Sequence, residues 1–245
     1  MKQYGLIGFP LGHSYSKSFF QEKFEKLGLS DHRYELFEME SIKDFPSLLS
    51  RYDSLKGVNV TVPHKEYVID YLSDLDESAR NVGAVNVVKR EGEKLVGYNT
   101  DYLGFKESLQ KWIGSFKGEA LILGTGGSSK AVHAALTDLR IASRHVSRAR
   151  ANDHYTYEDL SNDPEVIKRF ELIINTTPLG MSPKTDGCPD IPYQHLTNRH
   201  YLFDLVYNPQ VTTFMEKGKL QGAHVKNGLE MLKLQAECSW DIWNK

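Results

Sequence analysis

Apolar and polar positions along this chain fall into short alternating or wholly apolar runs separated by stretches of helical spacing, which predicts strands and helices in turn. Residues 3–9 read as a buried strand, followed by a turn-rich loop over 10–15 that carries His13 and Ser14. Phe19, Phe20, Phe24 and Leu27 then recur at helical spacing, so residues 16–27 should form an amphipathic helix that stops at Gly28. A second strand is expected over 32–38, a short helix over 42–49 and a third strand over 55–62. Pro63 ends that third strand because it has no amide proton to give a ladder. Helices over 66–72 and 76–81 precede a strand over 83–89 that carries Asn86. A turn at 91–93 then makes a hairpin with 94–98. Asn99, Thr100 and Asp101 are each suited to cap the helix expected over 102–113.

Beyond a glycine-flanked break at 114–118 the pattern restarts. An apolar strand over 119–123 runs into Gly124-Thr125-Gly126-Gly127-Ser128-Ser129, and a helix follows over 131–139. A strand, a glycine turn and a helix in that order suit a dinucleotide: glycine lets the backbone approach the pyrophosphate, and the helix N-terminus faces its charge. A tight turn of some other α/β fold has the same outline. The next strand, near 141–146, is short and unusually basic, and Ser147, Arg148, Ala149 and Arg150 follow it. No acid occurs from Leu139 to Asn152, and Arg148 lies near the offset of about 20 residues from the first glycine where NADP enzymes place an arginine for the 2′-phosphate. A helix over 165–170 and strands over 172–175 and 201–204 complete the alternation. Both strands are followed by loops, at 176–183 and 206–209, where open α/β sheets bind ligands. Gly228 opens a last helix over 229–242, in which Gln235 is the polar exception among packing residues.

The alternation of strand and helix argues for an α/β protein with parallel pairing, and 245 residues accommodate two domains. Hydrophobic residues at 40% and charged residues at 25% are globular values. Thirty Lys plus Arg against 32 Asp plus Glu leave a formal charge of -2 without long runs of one sign. That balance offers no footprint for nucleic acid or an anionic membrane, so a small molecule is the expected partner. The first ten residues lack the features of a signal peptide, no apolar run reaches membrane-spanning length, and Cys188 and Cys238 form no CxxC pair. A reducing cytoplasm is the expected compartment, and no ligand spacing calls for a metal.

The densest chemistry lies at the end of the third strand. On an alternating strand Asn59 and Thr61 share a face, and Lys65 sits just past the end. A strand, a proline stop and a solvated lysine would read the same way. Ser14 and Ser16 could hold a carboxylate with the free amides of the first helix, although Ser16 could equally be a plain N-cap. Capping is likewise the plain reading of Asp101.

Ser14, Ser16, the run Asn59 to Lys65, Gly83-Ala84-Val85-Asn86, Asn99-Thr100-Asp101, the glycine turn, Asn175-Thr176-Thr177-Pro178 and Gly228 to Gln235 occur in this order along the chain. In that order and spacing they resemble the shikimate dehydrogenase family over nearly the whole length. The resemblance implies two α/β domains: an N-terminal substrate domain over 1–103, joined by a final helix over 229–245, and a Rossmann-type doubly wound NADP-binding domain over 104–228. It also implies interconversion of 3-dehydroshikimate and shikimate by a monomer or homodimer. By resemblance Lys65 and Asp101 are the catalytic pair, Ser14 and Ser16 hold the substrate carboxylate, and Asn59, Thr61, Asn86, Asp101 and Gln235 hold its ring hydroxyls, with Tyr207 assisting. Gly124, Thr125, Gly126, Gly127 and Ser128 would take the cofactor phosphates, Ser147 and Arg148 the 2′-phosphate end, and Leu205 and Gly228 the nicotinamide end. Two departures stand out: Ser147-Arg148-Ala149 replaces the family's usual Asn-Arg-Thr, and Gly-Thr-Gly-Gly replaces Gly-Ala-Gly-Gly. Rival readings are a broader quinate/shikimate dehydrogenase with NAD use, a folate-type dehydrogenase, and a shikimate-binding sensor without turnover.

Overall fold

A computed structural model describes residues 1–12, 14–151 and 153–245, so His13 and Asn152 lie outside the described residues. The chain divides into two compact units, Met1–Leu103 with Gln235–Lys245, and Gly104–Leu234.

The first unit holds a six-stranded sheet. Its strands are β1 (Lys2–Gly8), β2 (His32–Glu38), β3 (Leu55–Val60), β4 (Asp74–Leu75), β5 (Val87–Glu91) and β6 (Lys94–Tyr98), in the order β2-β1-β3-β5-β6-β4. The helices are α1 (Tyr15–Lys26), α2 (Phe45–Arg51), α3 (Glu77–Val82), the first turn of α4 (Thr100–Ile113) and the end of α9 (Leu229–Asn244). β1, β2 and β3 pair in parallel as the alternation implied, but β5 runs antiparallel to both β3 and β6, so the sheet is mixed. The hairpin accounts for β5 against β6: Gly92, at φ 63, reverses the chain too tightly for a parallel crossover.

Strand alternation sorts the core residues. Tyr4, Leu6 and Val87 point to the face covered by Phe20, Phe24, Ala236 and Trp243, while Ile7, Val58, Val60 and Val88 point to the face covered by Phe45, Val68 and Ala79. Trp243 stacks on Tyr4 with ring centroids 4.8 Å apart and donates its indole N–H to Val88 O at 3.1 Å.

The second unit is built on a wholly parallel six-stranded sheet. It comprises β7 (Ala120–Leu123), β8 (Ser143–Ser147), β9 (His154–Thr156), β10 (Leu172–Asn175), β11 (Tyr201–Asp204) and β12 (His224–Lys226), in the order β12-β11-β10-β7-β8-β9. Counted in chain order within the unit and read from β9, this is 3-2-1-4-5-6, the doubly wound order that reverses direction between β7 and β10. The flanking helices include α5 (Gly127–Asp138), α6 (Tyr157–Asn162), α7 (Pro164–Arg169) and α8 (Thr213–Leu220). Leu121, Leu123, Ile173 and Leu202 face the cluster around Phe170 and Phe214, and Phe203 meets Phe105 on α4 at 5.1 Å between ring centroids. Strands buried on both faces explain the unbroken apolar runs at 120–123 and 172–174.

β9, β12, α6 and α8 have no counterpart in the sequence reading. β9 and β12 have three residues each, too short for any period to register. The helix expected over 66–72 is a 3-10 turn, Tyr67–Tyr71. The glycine-flanked 114–118 segment does not mark the division between units, which falls within α4 and α9. No helix among the described residues is long and apolar enough to cross a membrane.

Candidate active site

In the first unit, β3 ends at Val60, and Thr61 lies one residue beyond it, its amide still donating to Ile7 O at 2.9 Å. The chain then turns: the His64 amide donates to Thr61 O at 2.9 Å, and the His64 ring, 2% exposed, bonds through Nε2 to Met39 O at 2.5 Å. These contacts fix the stem of Lys65, whose own carbonyl accepts the Val85 amide at 2.7 Å.

Lys65 Nζ donates to Asp101 Oδ2 at 2.6 Å, with the two side chains 12% and 10% exposed. A solvated strand-end lysine would not be held this way. Nor is Asp101 the helix cap, because that task belongs to Asn99: its Oδ1 accepts the Tyr102 amide at 3.1 Å and its Nδ2 donates to Ala84 O at 2.8 Å. α4 begins at Thr100, two residues earlier than its apolar period implies, which leaves Asp101 in the first turn with its carboxylate available to Lys65.

A buried polar cluster adjoins this pair through Thr100, the chain neighbour of Asp101, and Asn86, the chain neighbour of Val85. Asn86, which sits just before β5 rather than inside a strand, accepts the Thr100 amide at 2.7 Å through Oδ1 and donates to Thr100 Oγ1 at 3.0 Å. Gln235 Oε1 accepts from Asn86 Nδ2 at 3.5 Å and from Thr100 Oγ1 at 3.4 Å. Asn59 accepts the Tyr34 hydroxyl at 2.7 Å and donates to Ser239 Oγ at 3.0 Å. The one Thr100 hydroxyl proton has Asn86, Gln235 and Ser239 oxygens within 3.3–3.5 Å, so these bonds can be exchanged for bonds to a ligand without stranding a buried group. An ammonium–carboxylate pair beside a cluster of amides and hydroxyls can bind a polyhydroxylated small molecule and supply a proton to it.

Ser14, not Ser16, occupies the N-cap position of α1, and its side chain makes no capping bond; both serines are half-buried. The capping explanation for Ser16 therefore falls away. Tyr34 and Ser239 belong to the cluster but were not singled out from the sequence, and Thr100 was read only as a possible helix cap. The spacing of Gln235 and Ser239, four apart on one helical face and bonded Ser239 Oγ to Gln235 O at 2.8 Å, was the available signal.

In the second unit, Gly124 follows β7 at φ 118, a conformation that favours glycine, and a Cβ there would stand 2.7 Å from Thr176 Oγ1. α5 starts at Gly127, four residues earlier than expected, because glycines carry no apolar period. Its N-cap, Gly126, offers no side-chain cap, and a Cβ added there would meet nothing within 4 Å. A glycine turn over Gly124, Thr125, Gly126, Gly127 and Ser128 that opens a helix without a side-chain cap suits a phosphate.

Ser147 closes β8, and its hydroxyl turns back to Ala149 O. Of the two arginines that follow, Arg150 is engaged by Asp159 at 2.6 Å, whereas Arg148 is exposed and makes no ion pair among the described residues. Arg144 and His145 are the basic residues of this strand, and His145 is half-buried. Its Nδ1 lies 3.0 Å from Gly124 O, and burial holds its pKa below the ordinary histidine value. Leu205 and Tyr207 follow β11, both half-buried, and Gly228 abuts Leu205 so closely that a Cβ would stand 2.2 Å from Leu205 O. Among the described residues, no group of three or more His, Cys, Asp or Glu is placed to hold a metal ion.

A family model described as the shikimate dehydrogenase substrate binding domain matches residues 6–88. The chain is 36% identical over 256 residues to a protein of Methanococcus maripaludis named shikimate dehydrogenase (NADP(+)), covering 99% of this chain and 91% of that one. It superposes on the crystal structure of shikimate dehydrogenase 1 from Peptoclostridium difficile with a TM-score of 0.87 at 34% identity, covering 100% of this chain and 92% of that one. The shikimate 5-dehydrogenase of Thermus thermophilus, solved in complex with NADP(H) and shikimate, matches with a TM-score of 0.82 at 29% identity, covering 99% and 93%.

Proposed function

We infer that this chain, which belongs to the shikimate dehydrogenase family, is an NADP-dependent oxidoreductase that interconverts 3-dehydroshikimate and shikimate. In this reading the first unit binds the substrate and the second binds NADP. The observation that carries it is the 2.6 Å contact of Lys65 with Asp101 beside the Asn59, Asn86 and Gln235 cluster, in the unit where the family's substrate-domain model matches.

Reducing the ketone leaves negative charge on its oxygen, and Lys65 is assigned to face that oxygen and give it a proton as the charge grows. Asp101 holds and aims the ammonium. Ser14 and Ser16, at the start of α1, are assigned to the substrate carboxylate, and Asn59, Thr61, Asn86, Asp101 and Gln235 to its ring hydroxyls. Tyr207, in the second unit, is assigned to the substrate by family resemblance alone.

NADP, when bound, supplies the hydride. The doubly wound strand order and the uncapped N-terminus of α5 fit that cofactor, with Gly124 to Ser128 at its phosphates. Arg148 and Ser147 are assigned to the 2′-phosphate end, and Leu205 and Gly228 to the nicotinamide end. A small-molecule oxidoreductase of the aromatic precursor pathway, working in the cytoplasm as a monomer or homodimer, completes the reading.

A steady-state assay with shikimate and quinate, each with NADP+ and NAD+, tests it. Shikimate with NADP+ should turn over fastest. Shikimate binding without turnover would point to a sensor, and equal rates with NAD+ would overturn the cofactor assignment.

A further inference from the structure

Asp204, at the carboxyl end of β11, is fully buried, yet it has no part in the chemistry above. Three neutral donors converge on its carboxylate: Asn175 Nδ2 at 2.9 Å and the Val206 amide at 3.0 Å on Oδ1, and Thr212 Oγ1 at 2.6 Å on Oδ2. Among the described residues it makes no ion pair, so hydrogen bonds alone hold a buried carboxylate.

Each donor belongs to a different piece of the ligand-facing edge of the sheet. Asn175 ends β10, directly opposite Asp204 in the parallel register, and its Oδ1 accepts both the amide and the hydroxyl of Thr177, at 3.0 and 2.6 Å. Thr212, also fully buried, is the N-cap of α8 and accepts the Met215 amide at 3.3 Å. One side chain therefore ties the loop at 176–183 to the loop at 205–212. The first of these loops touches the glycine turn as well: Thr176 Oγ1 donates to Leu123 O at 2.7 Å, and it is the atom a Cβ on Gly124 would strike. The second carries Leu205 and Tyr207. The first loop flanks the point between β7 and β10 where the strand order reverses, and the second lies one strand further out.

We propose that Asp204 is a positioning residue for the nucleotide, clamping the loops after β10 and β11 into one platform beside the glycine turn without touching the ligand itself. The proposal rests on the reading that the second unit binds NADP. Small displacements of residues that position a ligand are costly, so a loosened platform should weaken NADP before it slows the chemical step.

The test compares the wild type, Asp204→Asn and Thr212→Val. Three quantities are measured: the Kd for NADP+ by calorimetry, hydrogen exchange of ligand-free protein over 176–183 and 205–212, and kcat against KM for NADP+. Asparagine keeps the shape but turns an N–H toward one of the three donors. Its Kd should rise about tenfold or more, the equivalent of one hydrogen bond to a charged group. Exchange should quicken in the two loops and stay unchanged in β7, β10 and β11, and KM for NADP+ should rise by a larger factor than kcat falls. Should Asp204→Asn fail to fold, Thr212→Val, which removes the bond to Asp204 together with the cap on the Met215 amide, decides on the same readouts. A folded variant with wild-type Kd and wild-type loop exchange overturns the proposal, as does exchange quickened evenly through the whole sheet. Absence of NADP+ binding by the wild type would instead refute the functional reading, while the exchange comparison would still judge the clamp.

Discussion

Replacing Asp204 by Asn should change how the stability of this protein depends on pH, in a direction and by an amount that follow from the burial of its carboxyl group. Burial raises the Asp204 pKa from 3.8 to about 6, against the pull of the bonds from Thr212, Val206 and Asn175 that favour the charged form. Between those two values the folded protein holds a proton that the unfolded chain has released, so stability falls as pH rises. The contribution of this group is complete below the unfolded value and lost as pH passes through about 6. A shift of about two units corresponds to roughly 3 kcal/mol. The amide of Asp204→Asn does not titrate, so the stability of the wild type minus that of the variant should drop by about 2.5 kcal/mol between about pH 4 and about pH 7. Urea unfolding of both proteins at several pH values in that range measures the difference, and every other titrating group cancels in the subtraction. A difference constant to within about 0.5 kcal/mol across the range would refute the reasoning, since Asp204 would then titrate alike in the folded and unfolded states. The expected loss also states the cost of the clamp: a carboxylate that accepts three bonds at neutral pH does so in surroundings that favour its neutral form.

Lys65→Ala should lower kcat by about 10²- to 10⁴-fold with a smaller rise in KM, because charge on the ketone oxygen grows toward the transition state. Asp101→Asn should fall in the same direction, and the double variant should lose no more than Lys65→Ala, since both changes act on one amine; multiplicative losses in the cycle would separate the two roles. Arg148→Ala should weaken NADP+ binding by about tenfold or more and leave NAD+ binding nearly unchanged, a contrast that titration with each cofactor measures directly. Replacing Ser14 and Ser16 together by Ala should raise KM for shikimate. With no side-chain capping bond from Ser14 to lose, the melting temperature should hardly move, so a large drop in it with an unchanged KM would make the two serines structural.

Much of the fold was legible in the residue pattern because local rules decide it. β2, β10 and β11 have the predicted limits, and Gly92 closes the predicted hairpin. Wherever the pattern carried no period, the prediction stopped short. The first turn of α5 is written in glycine and serine, α4 begins in polar residues, and β9 and β12 are too brief to alternate.

The residue types of the site, and their order along the chain, were present in the sequence alone: Lys65 after a proline-stopped strand, Asp101 at a helix mouth, a glycine turn between strand and helix, and Arg148 without a competing acid. Which of several equivalent groups does which task was decided only by the tertiary structure. Asn99, Thr100 and Asp101 are equally good caps on paper, and the choice of Asn99 depends on Ala84 O lying within reach of its amide. That choice leaves Asp101 to Lys65. Arg148 and Arg150 differ only in that Asp159 lies beside one of them. Asp204 could be read only as the end of a strand, because its three partners come from residues 175, 206 and 212, which parallel pairing and the opening of α8 bring together. Local periodicity specifies which face of an element is buried. It carries no information about which polar groups from distant segments will meet there, and hydrogen bonds between such groups exist only once the sheet has set their register.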